Sequence, residues 1–278
     1  MIRTPPDVAT ASSHAGLGDD GCEAGQATAI SVAGVGHDFG VVTALADVTL
    51  SVAAGETVAL VGPSGCGKST LLELIGGLAE PTRGTIAVDG SPGEEERLAR
   101  CAWMPQRDLL LPWRRAVDNA ALALRFAGRK RADAQRESAA MLERLGLGGF
   151  AEAYPAQLSG GMRQRVAFAR TLLSGKPVLL LDEPLAALDA ITRADLQGWL
   201  VGTLGEVRRT TVLVTHDVEE AMFVADRVLL LSPRPGQVVW ETRSPVDRSL
   251  PRAAAITAPE FVAARAAALE ALAEASGS

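Results

Sequence analysis

Apolar positions along this chain follow two different periods. The runs AISVAGV (29–35) and ALADVTLSV (44–52) are short and alternating or β-branched, which predicts strands. GETVALVG (55–62) is apolar on both faces and predicts a buried strand that ends in a glycine turn. In STLLELIGGL (69–78) the period changes, and Leu71, Leu72, Leu74, Ile75 and Leu78 fall on one helical face. GTIAVDG (84–90) and RCAWMPQ (100–106) read as further strands. From Arg107 to about Tyr154 the character is helical, with AVDNAALALRFAG (116–128) and RADAQRESAAMLERLGL (131–147) both repeating near 3.6 residues. QLSGGMRQRVAFARTLL (157–173) opens on a glycine pair and continues as a long helix. PVLLLDEP, TTVLVTHD, DRVLLLSP and GQVVWET complete a sheet, separated by helical patterns over 191–207 and 218–225. The Ala-rich stretch 259–275 predicts a last helix with Pro259 in its first turn. Apolar strands alternating with helices imply an α/β fold with a mainly parallel sheet.

Composition narrows the class. The chain has 278 residues, of which 47% are hydrophobic and 22% charged, enough for a substantial core in one or two domains. A net charge of -6 argues against a nucleic-acid partner. The three cysteines Cys22, Cys66 and Cys101 lack metal-like spacing and fit a reducing compartment. Residues 1–27 have no periodicity and no signal-like apolar run, and read as a disordered tail. No run approaches 18 apolar residues, so the expectation is a cytoplasmic chain that is soluble or peripheral to a membrane. His14 and His37 read as plain surface residues.

The glycine turn GPSGCGKST carries the first chemistry. Gly62-x-x-x-x-Gly67-Lys68-Ser69 is the phosphate-loop pattern, set between a buried strand and a helix. Without Cβ atoms the backbone can turn successive N–H groups toward one anion, which the start of the next helix also faces. Lys68 supplies a charge for the β- and γ-phosphates, and the Ser69 hydroxyl a ligand for Mg²⁺. The nucleotide-binding set is thus Gly62, Pro63, Ser64, Gly65, Cys66, Gly67, Lys68, Ser69 and Thr70. An ordinary strand-to-helix turn is the plainer alternative. Cys66 reads as a space-filler, although a thiol beside an anion site could let thiol reagents block the nucleotide.

VLLLDEP narrows the reaction. Asp182 at a strand end suits the Mg²⁺ shell, and Glu183 suits polarisation of an attacking water, a gain of roughly 10²–10⁴. Two solvated loop acids are the alternative. In LSGGM, Ser159, Gly160 and Gly161 open a helix as a second anion-binding design, or simply as a capped helix start. One nucleotide does not need two such helix starts from one chain, which points to a dimer.

In order and spacing these pieces resemble the ATP-binding subunit of an ABC transporter, from about Ala29 to Arg252. The resemblance implies a P-loop NTPase (RecA-like) core over 28–252. An N-terminal antiparallel β part and an inserted helical subdomain near 107–165 belong to it, followed by a C-terminal helix over 253–278. GPSGCGKST becomes the Walker A loop, VLLLDEP the Walker B strand, LSGGM the signature and LAALD the D-loop with Asp189. Gln106 takes the Q-loop position, sensing Mg²⁺ and the attacking water, and His216 the switch position on the γ-phosphate. Phe39 stands where the family stacks an aromatic on adenine, although a lone Phe after a strand is also compatible with core. Glu183, His216 and Gln106 are the implied catalytic residues. Ser69, Gln106 and Asp182 are the implied metal ligands.

The family cycle implies ATP, Mg²⁺, a head-to-tail dimer, membrane permease subunits, an extracytoplasmic solute-binding protein, and a place on the cytoplasmic face of the membrane. Leu109, Leu110, Leu111, Pro112 and Trp113 read as a permease-docking patch, with core packing equally compatible for Trp113. LLPWRRAVDN, PLAALDAITR and LSPRPG look most like the importers of nitrate, sulfonate, taurine and related solutes. MPQRDLLLPW leans toward pyrimidine precursors of thiamine. A soluble ABC ATPase of DNA repair or translation is the alternative. It would need a long coiled coil or a second cassette, and neither is in the sequence. An ATP-binding regulator is disfavoured by the presence of Glu183 and His216.

Overall fold

The computed structural model describes residues 27–186 and 190–277. The expected tail (save Ala27), with His14 and Cys22, and the D-loop residue Asp189 lie outside the described residues.

The chain opens with two long antiparallel strands, β1 (Thr28–Phe39) and β2 (Val42–Ala53). Buried Ile30 and Val32 alternate with exposed Ser31 and Ala33, and a register shift between Val35 and His37 lets Leu45 and Val48, three residues apart, both be buried. β3 (Thr57–Val61) follows, then α1 (Lys68–Ile75) and β4 (Arg83–Val88). β4 pairs antiparallel with β1, completing a three-stranded sheet in the order β2-β1-β4.

A short helix, α2 (Glu94–Arg100), precedes β5 (Cys101–Met104). No apolar period announces α2. Glu94, Glu95 and Glu96 in its first turn favour the positive helix end, and Arg97 is buried and paired with Glu80 at 3.1 Å.

The helical part comprises α3 (Ala116–Ala120), α4 (Leu122–Phe126), α5 (Arg131–Arg144) and α6 (Gly160–Leu172). The continuous helix expected over 116–128 is interrupted at Ala121, where ψ is -8°, while its N–H still bonds the Val117 carbonyl at 3.0 Å. β6 (Val178–Asp182), α7 (Ala190–Val207), β7 (Thr210–Thr215), α8 (Val218–Val224), β8 (Arg227–Leu231) and β9 (Val238–Arg243) then alternate. The chain ends in α9 (Arg252–Ala255) and α10 (Pro259–Gly277).

The second sheet has the order β5-β6-β7-β3-β8-β9, parallel except for β9. β3, β6, β7 and β8 are buried along their whole length. Each Val or Leu so covered is worth about 1.5–3 kcal/mol, which puts the all-apolar runs at the sheet centre. One face of the sheet packs on β1, β2 and α1, and the other on the helical part, α8 and α10. Phe261 and Ala268 of α10 are fully buried in that second core, so the C-terminal helix is built into the fold.

The register sets up the function. Val61 pairs with Thr215, Asp182 with Val214, and Met104 with Leu181. The C-terminal ends of β3, β7, β6 and β5 are therefore level, and all four following loops emerge at one edge. Open parallel sheets bind ligands at that edge.

Asn119 is a fully buried polar residue that no sequence pattern signalled. Its Oδ1 accepts from Leu111 N at 2.8 Å, and its Nδ2 donates to the carbonyls of Leu111, Arg114 and Arg115 at 3.0–3.2 Å. It thereby holds the loop that carries Trp113. Asn119→Ala strands those backbone groups and is expected to cost about 1–3 kcal/mol, read as a lower urea midpoint with an unchanged slope.

Candidate functional site

Two of the loop glycines answer first to protein atoms. A Cβ on Gly62 would lie 2.8 Å from the Leu231 carbonyl. Gly67 caps α1 at φ 103°, where a Cβ would meet Leu45 at 2.6 Å and the Ala44 carbonyl at 3.0 Å. The close approach expected of them toward an anion is thus matched by close packing behind the loop. Pro63, Ser64 and Gly65 complete the curl with the buried Cys66, and Thr70 lies in the first turn of α1. Burial makes Cys66 a filler and removes the expected access for thiol reagents.

Lys68 is buried, and its Nζ donates to the carbonyls of Gly62 at 2.8 Å and Pro63 at 2.9 Å. Its third contact is the weak acceptor Cys66 Sγ at 3.7 Å. An ammonium has three donors, so the loop fixes the cation while one donor has only a weak partner that a phosphate oxygen can replace. The helix behind has no acidic residue in its first turn to oppose an anion.

Opposite, β6 delivers Asp182 and Glu183. Burial pushes the Asp182 carboxyl up; the Ser69 hydroxyl hydrogen bond opposes this, Glu183 adds to it and Lys68 counters it. A third carboxyl, Glu73 on α1, is likewise raised by burial and then by Asp182, with His37 opposing. Residue order hid Glu73, because only the fold sets α1 against β6. Glu183 sits at φ 46°, a left-handed conformation costing of order 1–3 kcal/mol for a residue with a side chain, tied by its N–H to the Val214 carbonyl at 2.9 Å. Its Oε2 accepts from Gln106 Nε2 at 2.7 Å, and its Oε1 lies 3.6 Å from His216 Nδ1. The fold thus brings Gln106, Glu183 and His216 together from three loops.

Asp182, Ser69 and the Gln106 amide offer one carboxylate and neutral oxygens. That hard-donor set fits Mg²⁺ shared with substrate phosphates. Among the described residues no group of three or more His, Cys, Asp or Glu forms a self-sufficient metal cage, which is consistent with sharing.

Phe39 ends β1 and is 56% exposed, so it is not core. His37 is half-buried, not a surface residue as expected, and its ring meets Phe39 edge-on with centroids 4.6 Å apart. Ser159 is exposed and caps α6 by accepting from Met162 N at 3.2 Å, with Gly160 and Gly161 forming the first turn. In the docking patch expected over 109–113, Leu110 is buried, while Leu109 and Trp113 are 55% and 71% exposed, so Trp113 is not core packing.

Three contacts around the site were not signalled by residue order. Arg234 donates from Nε and Nη2 to the Gly65 carbonyl at 3.0 and 2.8 Å, hooking the loop apex from behind β8. The turn-forming LSPRPG was its only sequence trace. Arg163 on α6 pairs with Asp108 at 2.9 Å, and Arg170 donates to the Asp108 and Leu109 carbonyls. The segment after Gln106 is therefore carried by the helix that begins at Ser159.

The ABC transporter family model matches residues 45–186. The chain is 44% identical over 210 residues to the taurine import ATP-binding protein TauB of Yersinia pestis, covering 76% of this chain and 82% of that protein. It is 48% identical over 206 residues to the aliphatic sulfonates import ATP-binding protein SsuB 1 of Rhodococcus jostii, covering 73% and 79%. To the nitrate import ATP-binding protein NrtD of Synechococcus elongatus it is 43% identical over 231 residues, covering 82% and 84%. Among solved structures, a dimeric ATP-binding cassette in a post-hydrolysis state with ADP and Pi superposes with a TM-score of 0.70 at 32% identity, covering 77% of this chain and 98% of that one.

Proposed function

The chain belongs to the ABC transporter family, as an ATP-hydrolysing cassette, and we propose that it powers import of a small solute through a separate membrane permease. One observation carries the reading: four strand ends at one sheet edge present the phosphate loop, Gln106, the Asp182–Glu183 pair and His216 together.

The roles follow from that geometry. Lys68 and the N–H groups of residues 64–70 bind the β- and γ-phosphates. Ser69, Asp182 and Gln106 hold Mg²⁺, which when bound neutralises phosphate charge. Glu183, fixed by Gln106, accepts the proton of the attacking water, and His216 beside it contacts the γ-phosphate. Phe39, exposed at the tip of β1, stacks on adenine.

Ser159, Gly160 and Gly161 close over the ATP of a second subunit. The exposed helix start and the dimeric cassette among the relatives support this. The exposed Leu109 and Trp113 form part of the permease dock, and Arg163 and Arg170 relay its position to the signature helix.

The cassette sits peripherally on the cytoplasmic face of the membrane. No helix among the described residues is long and apolar enough to cross it. An extracytoplasmic solute-binding protein completes the system. Taurine, sulfonates and nitrate are the solutes for which the relatives are named, and they take precedence over a pyrimidine precursor of thiamine.

Reconstitution tests this. Vesicles holding a cognate permease are expected to take up one of these solutes only when the cassette, ATP and Mg²⁺ are enclosed inside and a solute-binding protein is present outside. ATP turnover stimulated by nucleic acid and indifferent to the permease would instead establish the soluble alternative.

A further inference from the structure

The C-terminal helices reach the catalytic loops through a chain of polar contacts. Arg252, at the start of α9, donates from Nε to Gln197 Oε1 on α7 at 2.8 Å, and from Nη2 to Glu219 on α8 at 3.0 Å. Its guanidinium also lies 5.4 Å from the centre of the Phe223 ring. Gln197 in turn reaches Glu220 Oε2 at 3.4 Å. Gln197 and Glu220 are both buried.

α7 and α8 are the helices that leave the site: α7 follows the segment after Glu183, and α8 begins two residues after His216. Arg252 bolts them together.

Glu220 ends the chain of contacts at the site itself. It lines, with Glu183, Arg193, Thr215 and His216, a cavity of about 10 Å³, room for one water at most. Burial raises the Glu220 carboxyl; the Thr215 hydroxyl opposes this, Asp217 adds to it, and Gln197 and Arg193 oppose it. Asp217 locks the same turn by accepting from the N–H groups of Glu219 and Glu220 at 2.9 and 3.2 Å, while its own N–H donates to Thr215 Oγ1 at 3.1 Å. Displacement of Glu220 therefore has little slack to absorb it before Thr215 and His216.

We propose that Arg252, Gln197 and Glu220 form a positioning relay through which the C-terminal helices hold His216 and Glu183 in register. This rests on the ATPase roles given above. It makes the C-terminal segment a control point: anything that pulls α9 off α7 and α8 loosens the switch loop without touching the phosphate loop.

A second arginine provides the control. Arg265 on α10 also pairs with Glu219, at 2.7 Å, and so reaches α8 from the other C-terminal helix. Its loss weakens attachment of the C-terminal helix but leaves the α7 link intact.

The test uses the full chain with Arg252→Ala, Arg252→Lys, Gln197→Met and Arg265→Ala, reading single-turnover ATP hydrolysis, ATP affinity, and amide hydrogen exchange over residues 215–221. Arg252→Ala and Gln197→Met are expected to slow hydrolysis about 10-fold, within the ~10²-fold that a small remote misplacement can cost. ATP affinity should stay within about twofold, with faster exchange over 215–221. Arg252→Lys keeps only one of the two contacts and should fall between, and Arg265→Ala should stay near the parent.

Equal losses in Arg265→Ala and Arg252→Ala would overturn the relay in favour of simple helix attachment. So would unchanged exchange in both Arg252→Ala and Gln197→Met. A parent chain that never hydrolyses ATP would remove the ATPase roles instead, and the exchange comparison would still decide whether the contacts hold the loop.

Discussion

Glu183→Gln is expected to bind ATP, pair with a second copy and stall there, with turnover down by roughly 10²–10⁴. The side chain keeps its shape, so an amide can still meet Gln106, now 2.7 Å from Glu183 Oε2, and the phosphate loop is untouched. What disappears is the anion that accepts a proton beside His216. The substitution also removes like charge next to Asp182, whose carboxyl Glu183 pushes upward, so the bound state is favoured as chemistry stops. Light scattering with ATP and Mg²⁺ should show a lasting dimer, and a phosphate-release assay the lost turnover. Unchanged steady-state turnover would exclude Glu183 as the base.

Lys68→Ala is expected to abolish ATP binding at ordinary nucleotide concentrations. The one charge-assisted hydrogen bond that the third Lys68 donor can make to a phosphate oxygen, at about 1.5–3 kcal/mol, already amounts to about 10–10²-fold in Kd. The buried ammonium also ties the Gly62 and Pro63 carbonyls, so its loss removes the brace that shapes the loop. A nucleotide titration, with circular dichroism to verify folding, reads the effect. Affinity retained within threefold would contradict the phosphate role. Arg234 anchors Gly65 from outside and has no part in this brace.

Much of the site was legible because its chemistry is local. A phosphate loop must be a strand, a glycine-rich curl and a helix in succession, so GPSGCGKST carries its own context. Asp182 and Glu183 stand out because two acids end an otherwise apolar run. By contrast, α2 lacks an apolar stripe, and the break at Ala121 is one of backbone torsion in a sequence with unbroken helical period. The side chains around the site were hidden for a different reason. Arg234, Arg252 and Gln197 act across long separations, and a polar residue does not reveal in the sequence which distant carbonyl or carboxylate it will meet.

Residue order alone determined the strand and helix alternation, the phosphate loop and the identity of the acids, because periodicity and turn chemistry are properties of neighbours along the chain. The level register of β3, β5, β6 and β7, which turns four separated loops into one site, was decided only by tertiary pairing. So were the exposure of Trp113 and Phe39, the burial of Cys66 and the Arg252 link, since each depends on which surfaces the sheet and helices cover when they pack.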